Sequence, residues 1–230
     1  KLQGGVPNIP FRDLAIQRRE NDLVGATFGR GFFILDDYTP LRHVSDAMLK
    51  DEVALFPVRK ARWYIERRTL GDEVKASQGD AFFTAPNPPF GAVFTYYLRD
   101  EIRTRKATRQ ELEKERAKTG ADTPYPGWEA LREERLEEEP GVVLTVRDAA
   151  GSVVRRLPGP VTAGFHRVAW DLRHPPVDPW TGEKPASDWY EPPQGVLAAP
   201  GTYTVSLAVR KDGVLTDLGK TATFEVVPMR

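Results

Sequence analysis

Apolar and polar residues alternate with period two along most of this chain. In "RDLAIQ", residues 12–17, Leu14 and Ile16 alternate with Asp13, Ala15 and Gln17, the pattern of a half-buried strand. "NDLVGATFG" and "GFFILDD" follow, set off by "RREN" and "RG" turns, and Phe32–Leu35 is apolar at every position, so cover is expected on both of its faces. Three strands of this length do not make a stable domain alone; they need a sheet to join. Further on, "ARWYIERR", "DAFFTA" and "FGAVFTYYLRD" read as strands rich in aromatic and β-branched residues. In "GVVLTVRDAAGSVVRRL", Val142, Leu144 and Val146 face one way and "DAAG" turns the chain. Near the end Tyr203, Val205, Leu207 and Val209 share a face, and "KDG" leads into a last strand. At least seven such segments between Ala61 and Val227 predict an all-β fold, a two-sheet sandwich of the immunoglobulin or fibronectin type III kind.

Two stretches break the alternation. Residues 41–60 mix a short helical turn after Ser45 with an apolar "VALF" stopped by Pro57, and read as a connector. Residues 100–140 are charged and helical in pattern. The first helix is expected to start at Thr108, with Glu111 three residues on as a capping box, and to end at Gly120. The second, "GWEALREERLEEEPG", is expected to run until Pro140 and Gly141, with a thin apolar stripe of Trp128, Leu131 and Leu136. Such a hairpin buries one narrow edge. It reads as a solvated insertion between strands, or as a docking surface for another subunit.

Composition narrows the chemistry. Lys and Arg number 33, as do Asp and Glu, so no basic field spans the chain and nucleic acid is not an expected partner. Cysteine is absent, which removes disulfides and thiolate chemistry and leaves compartment open. No apolar run reaches the roughly 20 residues that span a bilayer. The first residues carry no signal peptide pattern and no initiator methionine, as expected of a processed product or fragment. His43, His166 and His174 are too dispersed for a zinc pattern, and no nucleophile elbow, phosphate loop or Rossmann glycine run is present. No catalytic residue, metal or cofactor is therefore assigned.

"TAGFHRVAWDLRH", residues 162–174, gathers two histidines, a tryptophan and an aspartate. By period two, His166, Val168, Trp170 and Leu172 share one face, so His166 is expected to be a core histidine with satisfied ring nitrogens, not a catalyst. Asp36 and Asp37 are adjacent on a strand end and point apart, which suits a turn better than a glycosidase pair. The proline-rich stretch 174–200 places Trp180, Trp189 and Tyr190 on a stiff loop. They read first as cover of the sandwich end or of its junction with the N-terminal strands, since three large aromatics left exposed would form an unusual apolar patch, and they are the candidate binding residues for a sugar ring or a partner's apolar patch.

Several stretches carry a resemblance. "AGFHRVAWDLR" followed by "APGTYTVSLAV" resembles the C-terminal immunoglobulin-like modules of bacterial proteins such as flagellar hook-capping proteins. "VPNIPFRDLAIQRRENDLVGATFGRGFFILDDYTPLR" is similar to the last propeller blade of bacterial sortilin-like BNR-repeat proteins, many labelled glycosyl hydrolases, and "LFPVRKARW" and "NPPFGAVFTYYL" fit their post-propeller region. The preceding blades and their Asp-box repeats are missing. The resemblance implies strands of a terminal β-propeller blade in residues 1–40, a connector over 41–60 and a sandwich over 61–230. It implies the remaining blades as partner, on the same polypeptide or another chain, other protein subunits or carbohydrate as further partners, and a periplasmic, extracellular or cell-surface location. The expected function is a non-catalytic structural or interaction module. The alternatives are an accessory domain of a glycoside hydrolase or sialidase-like enzyme, and a carbohydrate-binding module.

Overall fold

The computed structural model describes residues 8–29, 31–65, 87–177 and 193–229. These are mostly β, with two α-helices. The chain divides into two compact units, Lys1–Lys50 and Asp51–Arg230.

The first unit is an antiparallel meander of β1 (Phe11–Gln17), β2 (Asp22–Thr27) and β3 (Phe32–Leu35), paired in that order. Asn21, in the left-handed region at φ 59°, closes the β1–β2 turn, a conformation that asparagine tolerates. Leu14 lies opposite Gly25, and Gly25 opposite Phe33, which sets these residues on one face. The missing side chain of Gly25 makes room for the Phe11 ring, with which a Cβ there would clash. Phe11 in turn packs edge to face on Phe33. Phe32 and Ile34 point to the other face, so both faces are apolar. After β3 the left-handed Asp37 (φ 44°) turns the chain; its N–H donates to the Asp22 carboxylate and the Tyr38 N–H to the Asn21 carbonyl.

The second unit holds two sheets around one core. One is β4 (Val53–Leu55), β6 (Ala92–Leu98) and β9 (Gly164–Trp170) in that order. The other runs β5 (Ala61–Trp63), β11 (Val214–Pro228), β10 (Gly201–Lys211), β7 (Gly141–Arg147) and β8 (Val153–Gly159). Among the described residues only β5 and β11 pair in parallel. The alternation predicted for these strands is what fills the core: Phe94 and Tyr96 of β6, Val142, Leu144 and Val146 of β7, and Tyr203, Val205 and Leu207 of β10 are all buried. Aromatic rings join the two layers, with Phe94 and Trp170 both edge to face on Phe224 and Trp170 also on Tyr203. The Asp212-Gly213 turn between β10 and β11 has positive φ at both residues, as a two-residue hairpin requires.

Four local expectations are corrected. The "VALF" stretch, expected as connector, supplies β4, because Val53–Leu55 pairs with Leu98–Tyr96 along β6. Helix α1 spans Arg105–Thr119 and is capped by Thr104, whose hydroxyl accepts from the Ala107 N–H; Thr108 lies inside it, its hydroxyl bonded back to the Thr104 carbonyl. The extra turn is held by Glu137, whose carboxylate accepts from the Arg105 N–H at the positive end of the helix dipole. Helix α2 spans Trp128–Leu136 and stops at Glu137, whose backbone turns extended at ψ 127°, short of Pro140. Its stripe is not buried either: Trp128 is 81% exposed. Leu172 is buried as expected, but not by continuing the strand. Asp171 accepts from the Arg173 N–H and Leu172 takes a left-handed φ of 56°, so a turn places it in the core.

Candidate functional site

His166 sits on β9 opposite Tyr96 of β6, on the face shared with Val168 and Trp170. Its Nε2 lies 2.6 Å from the Thr162 carbonyl, and since a carbonyl only accepts, Nε2 carries the proton. Its ring packs on Tyr96 at 5.1 Å. Tyr96 itself is buried, donates to the Pro160 carbonyl at 2.5 Å, and burial raises its phenol well above the ordinary range. His166 therefore ties β9 to the β8–β9 connection through one ring nitrogen, but it is half-buried and not the core histidine the period-two pattern predicts, because it stands near the start of β9 beside the exposed Thr162. Trp170 is held the same way, its indole N–H donating to the Arg173 carbonyl. The stretch that gathers the most chemistry in the sequence is a structural member.

The other candidates are placed as follows. Asp36 and Asp37 end β3, and Asp37 accepts from the Thr39 N–H, a turn role. Among the described residues no three His, Asp or Glu side chains come together as a metal set. Trp180, Trp189 and Tyr190 lie outside the described residues. Phe165, which sequence reasoning left aside, stands on the outer face of β9 and is 44% exposed while packing on Phe56 and Tyr97; an apolar residue out of phase with the core was its signal.

Two concavities lie at one end of the second unit, where β6 leads into α1 and β10 turns into β11. The first, about 680 Å³, has an apolar floor that includes Val53, Leu98, Val209 and Leu218 and a charged rim. Its acids are partly spoken for: Arg99 reaches Asp100 at 2.8 Å and Glu52 at 3.6 Å, and Arg103 holds Glu101 at 2.8 Å. The rim mixes both signs and favours no single charge. The second, about 530 Å³, lies between α1 and the proline-rich α1–α2 loop and is lined by Arg105, Arg109, Arg116 and Lys211 against one carboxylate, Glu113. Two of these cations are committed. Arg109 bonds both oxygens of Glu134 and also Glu113, and holds the Glu134 carboxyl below the usual carboxylate range by hydrogen bonding. Arg105 joins Glu133 and Asp212, tying the helical hairpin to the β10–β11 turn.

The remaining candidate surface is the meander, whose Leu14 (61% exposed) and Phe32 (74% exposed) stand on opposite faces. A mostly β protein with apolar sheet faces and no converging catalytic set among its described residues is the class these features define. No protein-family model, curated protein or solved structure matches the chain. No helix among the described residues is long and apolar enough to cross a membrane.

Proposed function

We propose that the chain is a non-catalytic architectural and interaction module: strands of a terminal β-propeller blade followed by an immunoglobulin or fibronectin type III-like domain, as in sortilin-like BNR-repeat proteins, working in an exported or surface-associated assembly. The observation that carries this reading is the meander. Leu14 and Ile16 on one face and Phe32 and Ile34 on the other are exposed, and a sheet that is apolar on both faces suits a position between two neighbouring sheets, which is what the radial stacking of propeller blades provides. A blade has about four strands, so further β-structure on the same polypeptide or on another chain completes this one.

The finer description of the second unit rests on its strand order. Taken across each sheet, the orders β4-β6-β9 and β5-β11-β10-β7-β8 support this reading, since A-B-E and, beyond the added β5, G-F-C-C′ are the orders expected of an immunoglobulin-like domain. The Tyr203 hydroxyl donates to the Ala199 carbonyl at 2.6 Å, near the start of the penultimate strand, which is how a tyrosine corner is built.

The test is the mass of the native particle purified from its natural source. A species larger than 25.8 kDa, containing further propeller blades, is the expected result. A free monomer of that mass, with Leu14 and Phe32 accessible to solvent, overturns the reading.

A further inference from the structure

Helices α1 and α2 are charged at most positions, yet across the hairpin Leu112, Tyr125, Trp128 and Leu136 are all exposed. Three of them adjoin. The Tyr125 and Trp128 rings meet edge to face with centroids 5.9 Å apart, and Leu112 and Tyr125 line the same 530 Å³ groove. Pro124 and Pro126 flank Tyr125 and fix the backbone torsion on either side of it, so this wall is stiff before anything binds, and little ordering cost falls on the complex.

Charge gives the groove a sign. Arg105 and Arg109 have carboxylate partners, and Glu113 is taken by Arg109. Arg116 and Lys211 line the groove too, and neither pairs with a carboxylate among the described residues. The result is a stiff apolar wall facing two uncommitted cations.

We propose that this groove docks an extended acidic segment of a partner protein, which sets one aromatic or aliphatic side chain against Leu112 and Tyr125 and its carboxylates at Arg116 and Lys211. A second copy of this chain fits less well, because a two-fold contact lays a patch on itself and here would bring like cations together. The inference is independent of the propeller reading, since it uses only the second unit.

Fluorescence anisotropy with the full chain tests it, using a labelled hexapeptide Glu-Asp-Phe-Glu-Asp-Glu as probe. Saturable binding is expected, weakening as salt rises and falling about tenfold in the double variant Arg116→Glu/Lys211→Glu, as loss of a complementary charge pair predicts. Tyr125→Ala is expected to weaken it severalfold. Both variants change exposed side chains, and an unchanged circular dichroism spectrum verifies that they fold. Absence of binding, or binding unchanged in the double variant, overturns the proposal. So does equal affinity for the same peptide with Ser in place of Phe or for a twelve-residue oligothymidine, either of which shows attraction for polyanions alone. Light scattering that finds a dimer lost in Tyr125→Ala assigns the groove to a second copy and overturns it as well.

Discussion

Tyr96 in β6 and Phe32 in β3 are both aromatic residues in short antiparallel strands, yet Tyr96 has no exposed surface and Phe32 is 74% exposed. Local sequence does not separate them, since each stands in an apolar, β-favouring run. What separates them is the second layer. The strand of Tyr96 faces a five-stranded sheet, so its apolar surface is removed from water at roughly 25 cal/mol per Å². The meander's sheet has strand geometry and apolar side chains and nothing described over them, so it gains little. The strand pattern specifies an element; burial of that element is specified only by whatever faces it.

The largest effect should come from the core that joins the layers. Trp170→Ala removes the ring that packs on Tyr203 and Phe224 and the indole donor to Arg173. A cost of about 3–5 kcal/mol is expected for a buried tryptophan, read as the shift in urea unfolding followed by circular dichroism. A loss below about 1 kcal/mol would mean that the two sheets do not share a cooperative core.

This region was also the more legible in sequence, for a physical reason. Period-two alternation reports one-sided burial directly, so Val142, Leu144 and Val146, or His166, Val168 and Trp170, could be assigned to a face from spacing alone. Leu172 falls on that face by the same spacing and is buried, but the spacing does not reveal the means, which is the Asp171 turn and a left-handed backbone in place of a continued strand. The start of α1 was missed because Thr108 and Glu111 match a capping box locally, while the true cap at Thr104 is favoured by Glu137, thirty-odd residues away in sequence. The groove beside Tyr125 had no sequence signal beyond prolines and charge, since which cations stay uncommitted depends on tertiary pairing.

A smaller effect follows from Tyr96. An unfolded tyrosine titrates near pH 10, and burial raises the folded value above that. The folded state therefore holds the proton more tightly. The stability from this difference is complete below pH 10 and is lost as pH rises from there toward the folded value. Unfolding midpoints measured between pH 8 and 11 should fall on the alkaline side. Tyr203, also raised by burial and secondarily by Asp148, adds to the fall. In Tyr96→Phe the decline should be shallower, though the variant starts less stable because the Pro160 carbonyl loses its donor. An identical alkaline slope in the variant would assign the effect to other groups.

On the meander the expectation reverses. Phe32→Ser with Ile34→Ser should leave the unfolding midpoint of the second unit within about 0.5 kcal/mol, as exposed substitutions do, and should reduce self-association of the isolated chain measured by light scattering. Loss of several kcal/mol instead would mean that those side chains are covered in solution.

The smallest change in global stability is expected at the helical hairpin, which stands between the two cases: ordered, yet with no buried residue in either helix. Its helices are joined by Arg109, which bonds Glu134 and Glu113, and by Arg105 with Glu133 and Glu137. The Arg109–Glu134 pair is partly buried, with side chains 25% and 8% exposed, but it lies between the helices and outside the sheet core, so Arg109→Gln should leave the unfolding midpoint in place while speeding amide exchange in α1 and α2, with β7 and β10 unaffected. The low pH of Glu134 titration gives the same contact a second signature. Its carboxyl is held below the ordinary range, so its contribution is present above the unfolded carboxylate value and lost as pH falls through the folded one; hairpin protection factors, corrected for the intrinsic exchange rate at each pH, should fall in acid before those of the sheets, and in Arg109→Gln that acid step should disappear. If exchange in the sheets rises together with the hairpin, the hairpin belongs to the core's cooperative unit, and ordering without burial would no longer distinguish it.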